Sequence, residues 1–239
     1  MSLSEDLEFT VELWCRESRK ARSISIRTQA PYGVEIVVPK GTNNNLIKKI
    51  ISQNQQYINQ KLSEIKNHNF DIKPSKIFFP VTKQHVNVAY RKASFSETNL
   101  EISKQTLILN EPTEKESLVN NSRLLQGWLQ DKAAIILKDI VRTNSKKLNI
   151  PYNKIKVGAR KSIWGSCSYK KNINLNRNLI FLEPDLIKYV VTHELCHILE
   201  MNHSTKFWSF MNDLLPEYQK LKIRLKSSSS HQIPSWALL

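Results

Sequence analysis

The sequence is poor in cysteine and glycine, and each shortage excludes a class of site. Its 239 residues contain three cysteines, at positions 15, 167 and 196, and no CxxC pair. We therefore expect neither a disulfide framework nor a dithiol redox motif. The five glycines, at positions 33, 41, 127, 158 and 165, are too widely spaced for a GxGxxG or GxxxxGKS loop. This excludes the phosphate-binding loops of dinucleotide-binding and Walker-type proteins.

Long apolar runs are also missing. No run approaches the ~20 residues that a membrane-spanning helix needs. The first ten residues, MSLSEDLEFT, are acidic and lack the apolar core of a secretory signal. Together with the unpaired cysteines, these features predict a cytoplasmic protein with no membrane partner. The sequence gives no indication of the oligomeric state.

Acidic residues are absent from one long stretch of this basic chain. The net charge is +15, yet residues 140–182 contain no Asp or Glu and ten Lys or Arg. Clusters of these cations bind nucleic-acid phosphates, so the stretch predicts contact with DNA or RNA. The candidate contacts lie in or beside its predicted strands: Lys156, Arg160, Lys161, Lys170 and Lys171. A solvated surface without a partner is the alternative interpretation.

Hydrophobic periodicity predicts an α+β fold with a strand-rich first half. Alternating apolar residues predict strands over 7–14, 23–28, 34–40, 76–90, 100–110, 154–160 and 172–182. Apolar residues at helical spacing predict helices over 44–67, 117–148, 185–202 and 204–226. The polar segment 110–117 is the best boundary. It divides the chain into a strand-rich region 1–115 with one helix, a second domain 116–226 and a flexible tail 227–239. Docking of the tail's apolar end in a groove is the alternative to disorder.

Three of the six histidines lie within the twelve residues THELCHILEMNH, 192–203. His193 and His197 are four apart in a predicted helix, so both rings lie on one helical face. This is the HExxH arrangement, in which two imidazoles bind Zn²⁺ and the intervening glutamate, here Glu194, is the general base. A chance pair of histidines on a surface helix is the alternative, but the apolar neighbours predict burial. Cys196 is interpreted as a small buried hydrophobe and not as a ligand.

Two residues are candidates for the third metal ligand. His203 follows His197 by six residues, directly after Asn202, which can end a helix in the left-handed conformation and return the chain to the metal. Glu217, twenty residues after His197, is the alternative, but it follows Pro216 near a predicted helix break. We favour His203 because its reach is shorter. Three protein ligands and one open position are typical of catalytic zinc.

Three segments together resemble the YgjP-like metallopeptidase family. They are WGSCS (164–168), the stretch 173–208 that contains the HExxH helix, and SISIRTQAPYGVEIVVPKGT (23–42). The pattern is similar to zincins of the SprT-like and WLM groups, which place a small polar residue and a Phe after the third histidine, here Ser204 and Phe207. The chain departs from the family at Ile163, where an arginine is usual. An interaction made by that arginine is therefore missing or moved here.

The resemblance implies a zincin-like domain in which a small sheet flanks the HExxH helix. It implies three zinc ligands: His193, His197 and His203. It also implies that Glu194 is catalytic and that Trp164, Gly165 and Ser166 form a wall of the active site. A tight turn packed on the helix is the alternative for that wall. We expect the predicted strand 172–182 to run near the cleft, because it leads into the HExxH helix and such an edge binds extended substrates.

Hydrolysis of protein or peptide substrates by a zinc metallopeptidase is therefore the predicted function. By analogy with the SprT-like and WLM enzymes, the substrates include proteins attached to nucleic acid. A nucleic-acid-binding module with a structural zinc is the alternative, although it gives Glu194 no role. A zinc hydrolase of non-peptide bonds is a third hypothesis, which the ligands do not distinguish from the first.

Overall fold

The computed structural model describes residues 12–29, 33–66, 73–93, 99–112, 118–160, 163–228 and 232–238. The chain divides into two compact units, Met1–Ile72 and Lys73–Leu239. The α+β class predicted from the sequence is confirmed. None of the described helices combines the length and the apolar character that a membrane span requires.

The first unit contains a three-stranded sheet and two helices. Its elements are β1 (Glu12–Ser18), β2 (Ser25–Gln29), β3 (Gly33–Pro39), α1 (Asn44–Gln53) and α2 (Gln55–Lys66). Strand β3 lies between β1, to which it is parallel, and β2, to which it is antiparallel. Its first six residues are buried, because this apolar run occupies the centre of the sheet and contacts α2. The single helix predicted over 44–67 is interrupted at Asn54, whose amide donates to the carbonyl of Ile50 at 2.9 Å.

The second unit begins with a four-stranded sheet in the order β4-β5-β7-β6. Its strands are β4 (Lys76–Phe79), β5 (Gln84–Ala93), β6 (Asn99–Ser103) and β7 (Thr106–Pro112). The predicted strands 76–90 and 100–110 are each split by a turn. The turns contain Lys83 and Lys104, whose φ angles are 54° and 53°. These left-handed residues fold each predicted strand into a hairpin.

The long helix α3 and a second three-stranded sheet follow. They are α3 (Leu118–Leu148), β8 (Lys154–Gly158), β9 (Gly165–Cys167) and β10 (Asn172–Asn176). In the order β8-β10-β9, the central strand β10 is parallel to β8 and antiparallel to β9. The strand predicted over 172–182 ends at Asn176. The Asn176 side chain accepts the N–H of Asn178 and starts a 3₁₀ helix, Arg177–Phe181.

Three helices and a short 3₁₀ turn complete the chain. They are α4 (Pro184–Leu199), α5 (Thr205–Leu214), α6 (Tyr218–Ser228) and the turn Ser235–Ala237. The helix predicted over 204–226 is interrupted between α5 and α6, where Pro216 cannot donate a backbone hydrogen bond. Helix α3 contacts β8, α4 and both 3₁₀ segments, so it forms the centre of the core.

The four-stranded sheet shares this core. The ring of Phe79 on β4 lies 5.8 Å from that of Trp128 on α3 and 5.5 Å from that of Phe181. The structure thus groups the sheet with the helices that follow it, whereas the sequence placed a boundary between 115 and 116. That boundary stays a prediction about which segments fold independently.

The C-terminal end is docked where the sequence predicted a flexible tail over 227–239. Trp236 is fully buried, and its carbonyl accepts a hydrogen bond from the Gln126 side chain at 2.9 Å. The Asn178 side chain donates to the carbonyl of Ala237 at 3.2 Å. Burying a large aromatic side chain stabilises by roughly 2–3 kcal/mol, which contributes to ordering this segment.

Candidate metal centre

Three histidine rings converge at one end of α4. His193 and His197 lie one helical turn apart, and their Nε2 atoms are 3.2 Å apart. His203, between α4 and α5, brings its Nε2 to 3.0 Å from that of His193. A tetrahedral zinc ion with Zn–N bonds of about 2.05 Å sets its ligand nitrogens about 3.3 Å apart. The donor set therefore fits zinc in chemistry and in these two separations, and the ligand atoms of all three histidines lie within 4.8 Å of one another.

The return of the chain to His203 differs from the turn predicted at Asn202. Helix α4 ends at Leu199, and Glu200 has extended backbone angles, with φ −148° and ψ 113°. Asn202 is absent from the described residues with positive φ. The helix therefore ends in the extended Glu200, and the chain bends at Met201 and Asn202 before it reaches His203.

The local environment keeps two of the ligand rings neutral. Burial, followed by the charges of His197, His203 and Lys222, lowers the pKa of His193 to about 3. Burial also lowers the pKa of His197, with His203 as the second cause. His197 Nδ1 lies 3.4 Å from the carbonyl oxygen of Glu200. A proton on Nδ1 donates to that oxygen and leaves the Nε2 lone pair for a metal.

Glu194 is buried beside these rings and directly against the backbone of β9. A Cβ atom added to Gly165 would lie 2.5 Å from Glu194 Oε1 and 2.8 Å from both Cδ and Cγ. Only glycine therefore leaves room for this carboxylate. The other oxygen, Oε2, is buried and has no hydrogen-bond partner within the described residues. Burial raises the pKa of Glu194 to about 8.

The three residues predicted to form a wall of the site differ in placement. Gly165 lies against Glu194. Trp164 packs against the core, and the Trp164 carbonyl accepts the N–H of Asn176 at 2.9 Å. Ser166 pairs in register with Asn174, whose amide donates to its hydroxyl at 3.3 Å. Because side chains alternate along a strand, Ser166 lies on the opposite face of the sheet from Gly165 and Glu194.

The other candidate ligands are not part of the cluster. Among the described residues, His193, His197 and His203 form the one group with metal-ligand spacing, and Glu217 is an exposed turn residue outside it. Cys196 is fully buried, and burial raises the pKa of its thiol to about 12. This agrees with its interpretation as a hydrophobe.

An aromatic cluster supports the histidines, and the sequence pattern indicated its member Phe207 but not Trp208 or Tyr218. The fully buried ring of Phe207 lies 4.7 to 4.9 Å from each histidine ring. Trp208 stacks on His203 at 5.6 Å, and Tyr218 stacks on Trp208 at 5.5 Å. The exposed Lys222 places Nζ 4.4 Å from the Trp208 ring. The available signal was the i, i+4 spacing of Tyr218 and Lys222, which puts both on one face of α6.

The cations of the acid-free stretch are only partly brought together. Lys156, Arg160, Lys170 and Lys171 are exposed, and Lys161 lies outside the described residues. Lys156 and Lys154 alternate with the half-buried Ile155 and Val157, so they share the outer face of the sheet with Asn174. Arg177, in contrast, is buried and donates to the Gln126 backbone and side chain.

Comparison with known proteins identifies a family over most of the chain. The model of the YgjP-like metallopeptidase domain matches residues 22–228. The metallopeptidase zymogen jannalysin of Methanocaldococcus jannaschii is 27% identical over 39% of this chain and 96% of its own, with a TM-score of 0.35. The zymogen abylysin of Pyrococcus abyssi is 22% identical over 38% of this chain and 94% of its own, with a TM-score of 0.34. No curated protein matches the chain.

Proposed function

This chain belongs to the YgjP-like metallopeptidase family, and from that premise we propose that it is a zinc-dependent endopeptidase with Glu194 as general base. The family makes it a hydrolase of peptide bonds that uses a metal. The convergence of three imidazole nitrogens beside a buried carboxylate supports zinc and the assigned roles. The alternative of a nucleic-acid-binding module without peptidase activity is therefore not retained.

The three histidines hold the metal, and the chain prepares them for it. A zinc ion in this position supplies an acidified water molecule and polarises the substrate carbonyl. His193 and His197 stay neutral because burial lowers the pKa of each. The buried Phe207 ring fixes the three imidazoles against one another, so little reorganisation is needed when the metal binds.

Glu194 moves the proton. Its buried Oε2 has no hydrogen bond within the described residues to compete with an attacking water. Burial raises the pKa of Glu194, whereas a divalent cation nearby lowers it again. The carboxylate therefore titrates in a range where it can accept a proton from water and give it to the leaving amine.

Strand β9 offers the edge on which an extended substrate can lie. It is an outer strand of its sheet and contacts α4, whereas β10, predicted for this role, is the central strand. An added peptide would pair with the outer edge of β9, which pairs with no other strand among the described residues, and would pass Gly165, beside Glu194.

Metal analysis and a peptide assay test the proposal. We expect one zinc per chain, loss of that zinc in His203→Ala, and retention in Glu194→Gln. Cleavage of casein or a peptide mixture should fall by about 100-fold or more in Glu194→Gln. Full zinc content in His203→Ala would show that His203 is not the third ligand and would favour Glu217. Undiminished cleavage in Glu194→Gln would show that Glu194 is not the general base.

Nucleic acid is a proposed second partner. The support for it is the exposed set Lys154, Lys156, Lys170 and Lys171 on the outer face and the β9–β10 turn, with no acidic residue between 140 and 182. Such a face would bind phosphates without reading bases, and would bring attached proteins to the metal centre. Gel shifts with duplex DNA and RNA should show binding that weakens steeply with salt. Absence of binding at low salt would limit the substrates to free proteins.

A further inference from the structure

A lysine is held on the aromatic wall beside the metal ligands. The His203 and Trp208 rings are stacked, with centroids 5.6 Å apart and planes at 24°. Trp208 and Tyr218 are stacked in turn, at 5.5 Å and 18°. Lys222 Nζ lies 4.4 Å from the Trp208 ring, and the lysine as a whole is exposed. The ammonium is therefore attracted to the indole while it stays open to solvent and substrate.

Lys222 takes part in none of the ion pairs in the described part of the chain. Two residues along the same helix, Arg224 pairs with both Glu183 and Asp185. Of the four cations on α6, Arg224 is the one that forms an ion pair within the described residues, and Lys222 is the one that lies on the Trp208 ring.

A lone cation beside a metal centre is electrostatically unfavourable unless an anion joins it. An ammonium group and a divalent metal repel each other, and no carboxylate pairs with Lys222 in the described part of the chain. A substrate carboxylate would interact favourably with both. We propose that Lys222, positioned by Trp208, binds a carboxylate of the substrate close to the bond that is cleaved, and so determines specificity. This inference rests on the proposed peptidase function.

The distances set how far that carboxylate lies from the bond. Lys222 Nζ lies 4.4 Å from the Trp208 ring, whose centroid is 5.6 Å from that of His203, so the ammonium lies within about 10 Å of the His203 ring. An extended peptide advances about 3.3 Å per residue, so up to about three residues cover this separation. Two sources present a carboxylate there: an Asp or Glu side chain, and the C-terminal carboxylate of a short substrate.

Paired peptides test the proposal with the zinc-loaded full chain. The peptides of each pair differ only in having Glu or Gln at one position within about three residues of the cleaved bond. A further pair differs in having a free or an amidated C-terminus. We expect a preference of about tenfold in kcat/KM for one carboxylate, since a charge-assisted contact contributes roughly 1–2 kcal/mol. The pair that shows the preference identifies whether the bound carboxylate belongs to a side chain or to the C-terminus.

Variants of Lys222 distinguish specificity from structure. Lys222→Met keeps an apolar stem on Trp208 and should abolish the preference, Lys222→Arg should keep it, and Lys222→Glu should reverse it. Lys206→Met is the matched control, because Lys206 lies on α5 with Nζ 5.8 Å from the Phe210 ring. It should leave the preference unchanged.

The outcomes separate this inference from the proposed function. Cleavage that depends on Glu194 but shows no carboxylate preference, or the same preference in Lys222→Met, overturns the role of Lys222 and leaves the peptidase intact. Failure of the wild type to cleave any peptide in a Glu194-dependent manner overturns both.

Discussion

One face of the sheet formed by β8, β10 and β9 is apolar and adjoins the metal centre, whereas the other is polar and positively charged. On the inner face, Ile173 and Leu175 are fully buried, and Gly165 lies against Glu194. On the outer face, Lys154 and Lys156 are exposed. Because side chains alternate, one short sheet excludes water on one side and carries solvated cations on the other. Substitutions on the two faces should therefore affect different properties.

The strongest test of the inner face is Gly165→Ala. The new Cβ would lie 2.5 Å from Glu194 Oε1, so either the carboxylate or strand β9 must move. We expect peptidase activity to fall by about tenfold or more, because a displacement of the general base near 1 Å is costly. Overpacking should also lower the free energy of unfolding by about 1–3 kcal/mol. Steady-state kinetics and urea denaturation measure the two effects.

Gly158→Ala is the matched control for this substitution. Gly158 ends β8 in the same sheet, and an added Cβ there meets nothing within 4 Å. It should retain wild-type activity. Equal losses in the two variants would show that the sheet is generally sensitive and that contact with Glu194 is not the cause.

The stability of the metal-free protein should depend on pH in two opposite ways. The pKa of Glu194 is raised from 4.5 to about 8, so the folded state holds its proton and stability falls as pH rises through that interval. The pKa of His193 is lowered from 6.5 to about 3, so the unfolded state binds the extra proton and stability falls as pH drops through that interval. The two slopes oppose each other between about pH 4.5 and 6.5, where stability should be greatest.

Glu194→Gln isolates one of these slopes. Between pH 6.5 and 8, the metal-free wild type should lose about 2 kcal/mol in the free energy of unfolding through Glu194. The variant should lose much less, because its amide does not titrate. Urea denaturation of both proteins in chelator, at pH 6.5 and pH 8, measures the difference. A wild type as stable at pH 8 as at pH 6.5 would mean that Glu194 is not protonated in the metal-free fold.

Prediction from the sequence succeeded for features whose geometry follows from the helical or strand repeat of neighbouring residues. The i, i+4 spacing of His193 and His197 predicts their common direction, and alternation predicts β8 and β10. It failed where tertiary contacts determine the outcome. Trp236 is buried because α3 offers Gln126 as a donor from more than 100 residues away. The stacking of Trp208 on His203 likewise depends on the angle between α5 and the end of α4, which local spacing does not specify.

Charge reversal on the outer face should weaken nucleic-acid binding without changing catalysis. We consider a variant with four residues of the acid-free stretch changed to Glu: Lys156, Arg160, Lys170 and Lys171. The control reverses four exposed helical lysines elsewhere: Lys48, Lys49, Lys220 and Lys226. Both sets remove the same net charge, so a difference between them reports position and not total charge.

If the outer face binds phosphates, the first variant should bind duplex DNA at least about tenfold more weakly than the wild type at low salt. Its plot of log affinity against log salt should also be less steep, by about 0.9 for each phosphate that the variant no longer neutralises. The control should be weakened much less. Zinc content and the cleavage of a free peptide should be unchanged in both proteins, because all eight side chains are exposed and none is a proposed metal ligand or catalytic residue. Equal decreases in DNA affinity in the two variants would mean that total charge, and not this face, attracts the nucleic acid.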